Sequence, residues 1–227
     1  MNKLLSANLQ KSLRSFGTDL DDVMRVSNSL NCWSNALQAT GSAGLVAEIF
    51  IDLYVSIHLS LFGLYKYADM ALRSALETSL NAAYFSTHPV EFHWWQDGKE
   101  WYVEGSRSQH PWGDGYNYFK LLAAELPGSK AGEPLEKELK AEYKALSRSI
   151  HSASQKLQTK GAKLAPALDT TRFKTWALRF RRTLSLINIV LTICLQDRFG
   201  NMRQSDKETI KSSILPDHSS ILQSVGL

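Results

Sequence analysis

Arg148 and His151 stand three positions apart in the run Ser147-Arg148-Ser149-Ile150-His151, inside an amphipathic stretch. On a helix that spacing lets both side chains share one patch. An arginine there can neutralise a phosphate while a histidine moves a proton, the pairing that cleavage of RNA through its 2′-hydroxyl requires. A half-exposed Arg and His flanking a core stripe fit the same spacing.

Three further groupings carry reactive or binding side chains. Lys66, Asp69, Arg73, Glu77 and Asn81 follow one another at helical steps. They read as a solvated face with ion pairs, or as a polar seam against another helix in which Arg73 and Glu77 touch a substrate. Arg172, Lys174, Arg179, Arg181 and Arg182 form a run of cations with no acid between them. Through Arg179 and Arg182 that run could hold a phosphate backbone; it could equally be a solvated face or an interface to an acidic partner. The stretch 88–118 gathers Trp94, Trp95, Trp101 and Trp112 with Tyr102, Tyr116 and Tyr118. Such rings could stack single-stranded bases, anchor an interface, or pack on the protein itself. His88, His93 and His110 lack a regular ligand spacing, so neither a metal nor another cofactor is expected.

The run Tyr143-Lys144-Ala145-Leu146-Ser147-Arg148-Ser149-Ile150-His151 resembles the Arg/His helix of HEPN-type helical domains. The segment Leu72-Arg73-Ser74-Ala75-Leu76-Glu77, followed by Tyr84-Phe85 and His88-Pro89, is similar to helices of the same kind. The resemblance implies an all-α fold, a metal-independent RNase of a toxin or phage-defence system, and action as a dimer. It implies Arg148 and His151 as catalytic residues, with Lys144 beside them on the substrate. In the family's catalytic pattern the histidine follows the arginine at a longer interval. Lys144 and His151 come nearer that interval, with Lys in the arginine's place. The family also contains non-catalytic scaffolds, which keeps a second reading open: a helical partner or regulatory subunit docking through its aromatic stretch and basic face. A third is a small-molecule sensor, with the aromatic stretch walling a pocket against Arg73 and Glu77.

These residues need helices to position them, and the pattern supplies helices almost throughout. Leu45, Ile49, Leu53, Ile57, Leu61, Leu64, Ala68, Leu72, Leu76, Leu80 and Ala83 recur every three or four residues. This predicts a helix of about 40 residues, with a kink near Gly63. Upstream, residues 3–15 form a helix stopped by Gly17, and another runs from Thr18 to about Gln38. Downstream, helices are expected over Tyr118–Leu126, from Pro134 along the stripe Leu135, Leu139, Tyr143, Leu146 and Ile150, and from Thr170 to Phe199 with Gly200 as its cap. Ser205-Asp206-Lys207-Glu208 reads as a capping box opening a last short helix.

The expected fold is therefore all-α: a helical bundle around a long central helix, with an ordered aromatic-rich loop over 88–118. Residues 1–42 supply helices that pack on the bundle, 43–200 the core, and 201–227 short terminal helices. With 227 residues, 44% of them hydrophobic, such a chain has enough apolar surface for one large core. Its net charge of +4 permits an acidic partner without demanding one. Cys32 and Cys194, set among apolar residues, are expected as buried free thiols. The absence of a secretion signal and the charged breaks in the apolar runs predict a cytoplasmic protein without a membrane partner. The partners expected are RNA, and either a second copy of the chain or another protein.

Overall fold

A computed structural model describes residues 2–38, 43–98, 132–150 and 168–223, and all regular structure among them is helical. The elements are α1 (Asn2–Ser27), α2 (Ser29–Leu37), α3 (Ala43–Leu61), α4 (Tyr65–Phe85), α5 (Pro89–Gln96), α6 (Gly132–Ile150), α7 (Thr170–Cys194), α8 (Gln196–Gly200), α9 (Gln204–Ser212) and α10 (Pro216–Gln223).

The helix at the centre is α7. Asp169 caps its start by accepting from the Arg172 backbone N–H at 3.0 Å. Its first turns are amphipathic, burying Phe173, Trp176 and Phe180 and exposing Leu178. From Thr183 to Ile193 every residue is buried, so this half is covered on all sides. Around it pack α4, α1, α6 and α10. One continuous core runs from Phe16 to Leu222 and takes in the flanking helices at both ends of the chain.

The predicted 40-residue helix is helical on both sides of Gly63, but at that residue it reverses instead of kinking. Gly63 takes φ +80°, a conformation open to glycine and strained for other residues. Its N–H donates to the Ser60 carbonyl at 2.9 Å, and the Leu64 N–H to that of Leu59 at 2.8 Å. That pair of bonds is a Schellman turn, which satisfies the last carbonyls of α3 and lets the chain fold back. Helix α4 then packs along α3. Ser56 locks the hairpin onto the centre: its hydroxyl donates to the Ala68 carbonyl and accepts from the Trp176 indole, both at 2.9 Å. From the other side α1 covers the turn. Asn8 donates to the Phe62 carbonyl at 3.0 Å and Ser12 to that of Leu61 at 2.8 Å.

Other expected boundaries also shift. The break expected at Gly17 is present one residue earlier, where Phe16 leaves the helical region (φ −130°, ψ 19°) and two helices of α1 meet at a kink; the helix expected to reach Gln38 is instead broken at Asn28, between α1 and α2. The bend seats the Phe16 ring on Phe173 at 3.9 Å, and that burial sets the direction of the helix. Helix α7 ends at Cys194, because Leu195 leaves the helical region, and Gly200 lies within α8 instead of capping α7. Helix α9 opens at Gln204 with no side-chain cap; the Ser205 box is replaced by an Arg203–Asp206 pair at 3.0 Å. Of the aromatic stretch, Pro89–Gln96 is a helix, with Phe92 and Trp95 against Phe85. The rest of that stretch and the helix expected over 118–126 lie outside the described residues.

Asn188 shows what a fully covered helix demands. Its side chain accepts from the Trp33 indole at 3.0 Å and donates to Ser29 at 2.8 Å and Ser213 at 2.7 Å. It thereby joins α7 to α2 and to the end of α9. Replacing it with leucine of similar size leaves the buried Trp33 N–H without an acceptor. Urea unfolding followed by circular dichroism should show Asn188→Leu less stable by about 2–4 kcal/mol.

Candidate functional site

The cationic run of α7 does not form an open basic face. Arg179 is paired with the buried Asp69 of α4, and Arg181 with Asp22 of α1 at 3.1 Å. Arg182 holds two carboxylates of α6, Glu138 and Glu142, the second at 3.2 Å. Arg179 and Arg182, expected on a substrate, are thus committed to internal acids. They act as the polar fasteners of α4 and α6 on α7. Removing one partner of a buried pair costs more than the pair contributes, because it strands the other charge.

Glu142 is almost wholly buried and accepts from the Thr183 hydroxyl at 3.1 Å. Burial pushes its carboxyl above its ordinary 4.5, and the Thr183 bond with the Arg182 and Arg179 charges holds it back in part. One turn earlier Glu138 faces His218 of α10 at 3.8 Å. His218 Nδ1 lies 2.8 Å from the Ser185 hydroxyl, whose oxygen also accepts from the Leu215 N–H at 3.0 Å. Burial, and then Arg182, lower the His218 pKa below 6.5, against the opposing pull of Glu138 and Asp217. The ring is accordingly neutral in the fold at pH 7.

On the outer side of the same helix pair, Arg73 and Glu77 form a seam with α6. Arg73 Nε donates to Glu77 at 3.0 Å, and its Nη2 donates to the Tyr143 hydroxyl. The guanidinium also sits 4.5 Å from the centre of the Tyr143 ring. Both charged side chains remain partly open to solvent, at 23% and 34%, so the seam is reachable. Burial and the Glu77 charge raise the Tyr143 hydroxyl above its ordinary value, which keeps it protonated and able to donate. Of the two readings of the Lys66–Asn81 line, the seam is the one formed here. Further along α4 the His88 ring stacks on Tyr84 at 3.9 Å.

Helix α6 divides its charges by side. Leu135, Leu139, Glu142 and Leu146 face inward and are buried. Lys137, Lys140, Lys144 and Arg148 are exposed, at steps of three and four along the outer face. Lys140 pairs with Glu136 on its own helix. No described carboxylate pairs with Lys137, Lys144 or Arg148. His151 lies outside the described residues, so the site places Arg148 and not its partner. Trp94 and Trp95 are exposed on α5.

Sequence reasoning did not single out Glu138, Glu142 or His218. Their signal was present in part, as two acids one turn apart beside the leucine stripe of α6. Which cation they meet depends on how α6 packs. Both cysteines are free and half-buried, and burial raises both thiols. No cluster of metal-ligating side chains occurs among the described residues. Helix α3 is long and apolar enough to cross a membrane, and its core face is packed within the bundle. Comparison with protein-family models, with curated proteins and with solved structures finds no match to this chain.

The pH behaviour of the internal cluster follows from the two shifts. Glu142, raised in the fold, contributes stability that is full below 4.5 and is lost as pH rises through its folded value. His218, lowered in the fold, contributes stability that is full above 6.5 and is lost as pH falls through its folded value. Against the gain that Glu142 gives as pH falls, His218 should impose a decline below 6.5 in urea unfolding between about pH 5 and 7.5. His218→Gln should flatten that decline.

Proposed function

We propose that this is a cytoplasmic, HEPN-like helical protein that acts on RNA without a metal, in a toxin or phage-defence setting, with α6 as its working helix. The observation that carries the reading is the division of charge on α6. Its inward acids Glu138 and Glu142 pair with Arg182, while Lys144 and Arg148 project from the outer face with no described carboxylate paired with them. Phosphates meeting Lys144 and Arg148 find cations that no described carboxylate claims. In the active form Arg148 holds the scissile phosphate and His151, three positions on, moves the proton. Arg73, held by Glu77 and Tyr143, offers a second cation at the α4/α6 seam.

One observation favours a second reading, a non-catalytic partner or regulatory subunit. Arg179, Arg181 and Arg182 of α7 are paired with acids of the fold, whereas large apolar side chains stand exposed on α3 and α5. Such side chains are common anchors of protein interfaces.

Two assays in chelator-containing buffer separate the readings. Anisotropy of a labelled single-stranded RNA should show binding that weakens with salt. The double variant Lys144→Ala/Arg148→Ala should lower affinity roughly tenfold and reduce the salt slope by about 1–2. Cleavage of tRNA and single-stranded RNA should disappear in His151→Ala, while binding remains. Binding without cleavage by the wild type selects the second reading, and no binding at low salt rejects an RNA role altogether.

A further inference from the structure

Helix α3 lies at the edge of the bundle and turns an apolar face outward. Phe50, Ile51, Tyr54 and Val55 are 39–49% exposed, and Tyr67 and Met70 continue the patch on α4. A hydrogen bond between Asp52 and Ser74 ties the two helices on that side. Together the six side chains expose on the order of 500 Å² of surface, near the upper end of what a monomer leaves uncovered. The rings of Phe50 and Tyr54 stack at 6.3 Å, and those of Tyr54 and His58 approach to 4.2 Å, so the face is already ordered.

The spacing along this face specifies what covers it. Glu48, Ile51, Val55 and His58 follow at steps of three, four and three, which is the seam spacing of two helices packed side by side. The order is symmetric about Leu53: Ile51 and Val55 stand two positions either side, Glu48 and His58 five. A helix running antiparallel to a copy of itself about that point sets Ile51 against Val55 of the other copy, and Glu48 against His58. His58 Nδ1 lies 2.9 Å from the Tyr54 carbonyl, which makes it the donor, so Nε2 can donate to a Glu48 carboxylate only in the protonated ring. A parallel pairing would set Glu48 against Glu48. An isologous contact needs this kind of self-complementarity, and an unrelated partner has no reason to match it.

We propose that the outer face of α3 is the contact with a second copy of the chain, paired antiparallel about a two-fold axis. The apolar layers of Ile51 and Val55 lie at the centre and the Glu48–His58 layers at the ends. This assignment stands independently of any action on RNA.

Sedimentation velocity over about one to several hundred micromolar protein tests it, since a contact of this size gives a modest affinity. The wild type should show a concentration-dependent dimer. Ile51→Glu, at an exposed position that leaves the fold intact by circular dichroism, should weaken it at least tenfold. Glu48→Lys and His58→Glu should each weaken the dimer, and the double variant should restore it, because each layer then joins a cation to a carboxylate. A monomer throughout the range overturns the proposal, as does a dimer indifferent to Ile51→Glu or a double variant no better than the singles. A monomer that sediments with phosphatidylcholine–phosphatidylglycerol vesicles through this face overturns it too, and assigns the face to a bilayer.

Discussion

A helix buried on every side has nowhere to send its polar groups except to its neighbours, and α7 is such a helix. Between Thr183 and Ile193 it carries Thr183, Ser185, Asn188 and Thr192 among its aliphatic residues, and of these only the Thr192 hydroxyl has no hydrogen-bond partner among the described residues. Thr183 meets Glu142 of α6, Ser185 meets His218 of α10, and Asn188 meets Trp33 and Ser29 of α2 together with Ser213. Apolar burial supplies most of the driving force for packing but has little direction. These hydrogen bonds have direction, and each is costly to leave unmade. They are what selects one arrangement of helices around α7 from the many that would bury the same leucines.

The ionic fasteners extend that logic toward the surface. Arg179 and Arg182 reach outward from the start of α7 and gather Asp69, Glu138 and Glu142. The pairing has two consequences. It anchors α6 by a charged inner edge as well as by leucines, and it commits two partly exposed arginines to acids of the neighbouring helices. Further exposed positive charge is carried by α6, on the side turned away from the bundle.

The seam of Arg73, Glu77 and Tyr143 sits between these two zones, partly buried and partly wet. A guanidinium already held by a carboxylate and a phenol is fixed in place before any ligand arrives, so little ordering remains to be done on binding. The same line on α4 would look alike in sequence if it faced only water. The approach of Tyr143 from α6 makes the difference.

Much of the helix content was legible in the sequence, because a helix bonds within itself and its apolar period reports its inner face. The stripe through Leu135, Leu139 and Leu146 is buried as its spacing predicts, and the outward position of Lys144 and Arg148 follows from the same period. Gly63 was legible as an interruption, but a kink and a reversal share that signal. The reversal is held by Ser56 of α3 through its bonds to Ala68 and Trp176, and by the α1 side chains that cap the turn, partners that lie on other helices. The charges divide in the same way. A run of arginines on α7 announces positive charge, and only the packing of α1, α4 and α6 determines that Asp22, Asp69, Glu138 and Glu142 meet it. Period and propensity are local and survive in one dimension. The pairing of charges and the covering of a helix depend on which distant segments come within a few ångströms, and for this chain the tertiary structure alone decided that.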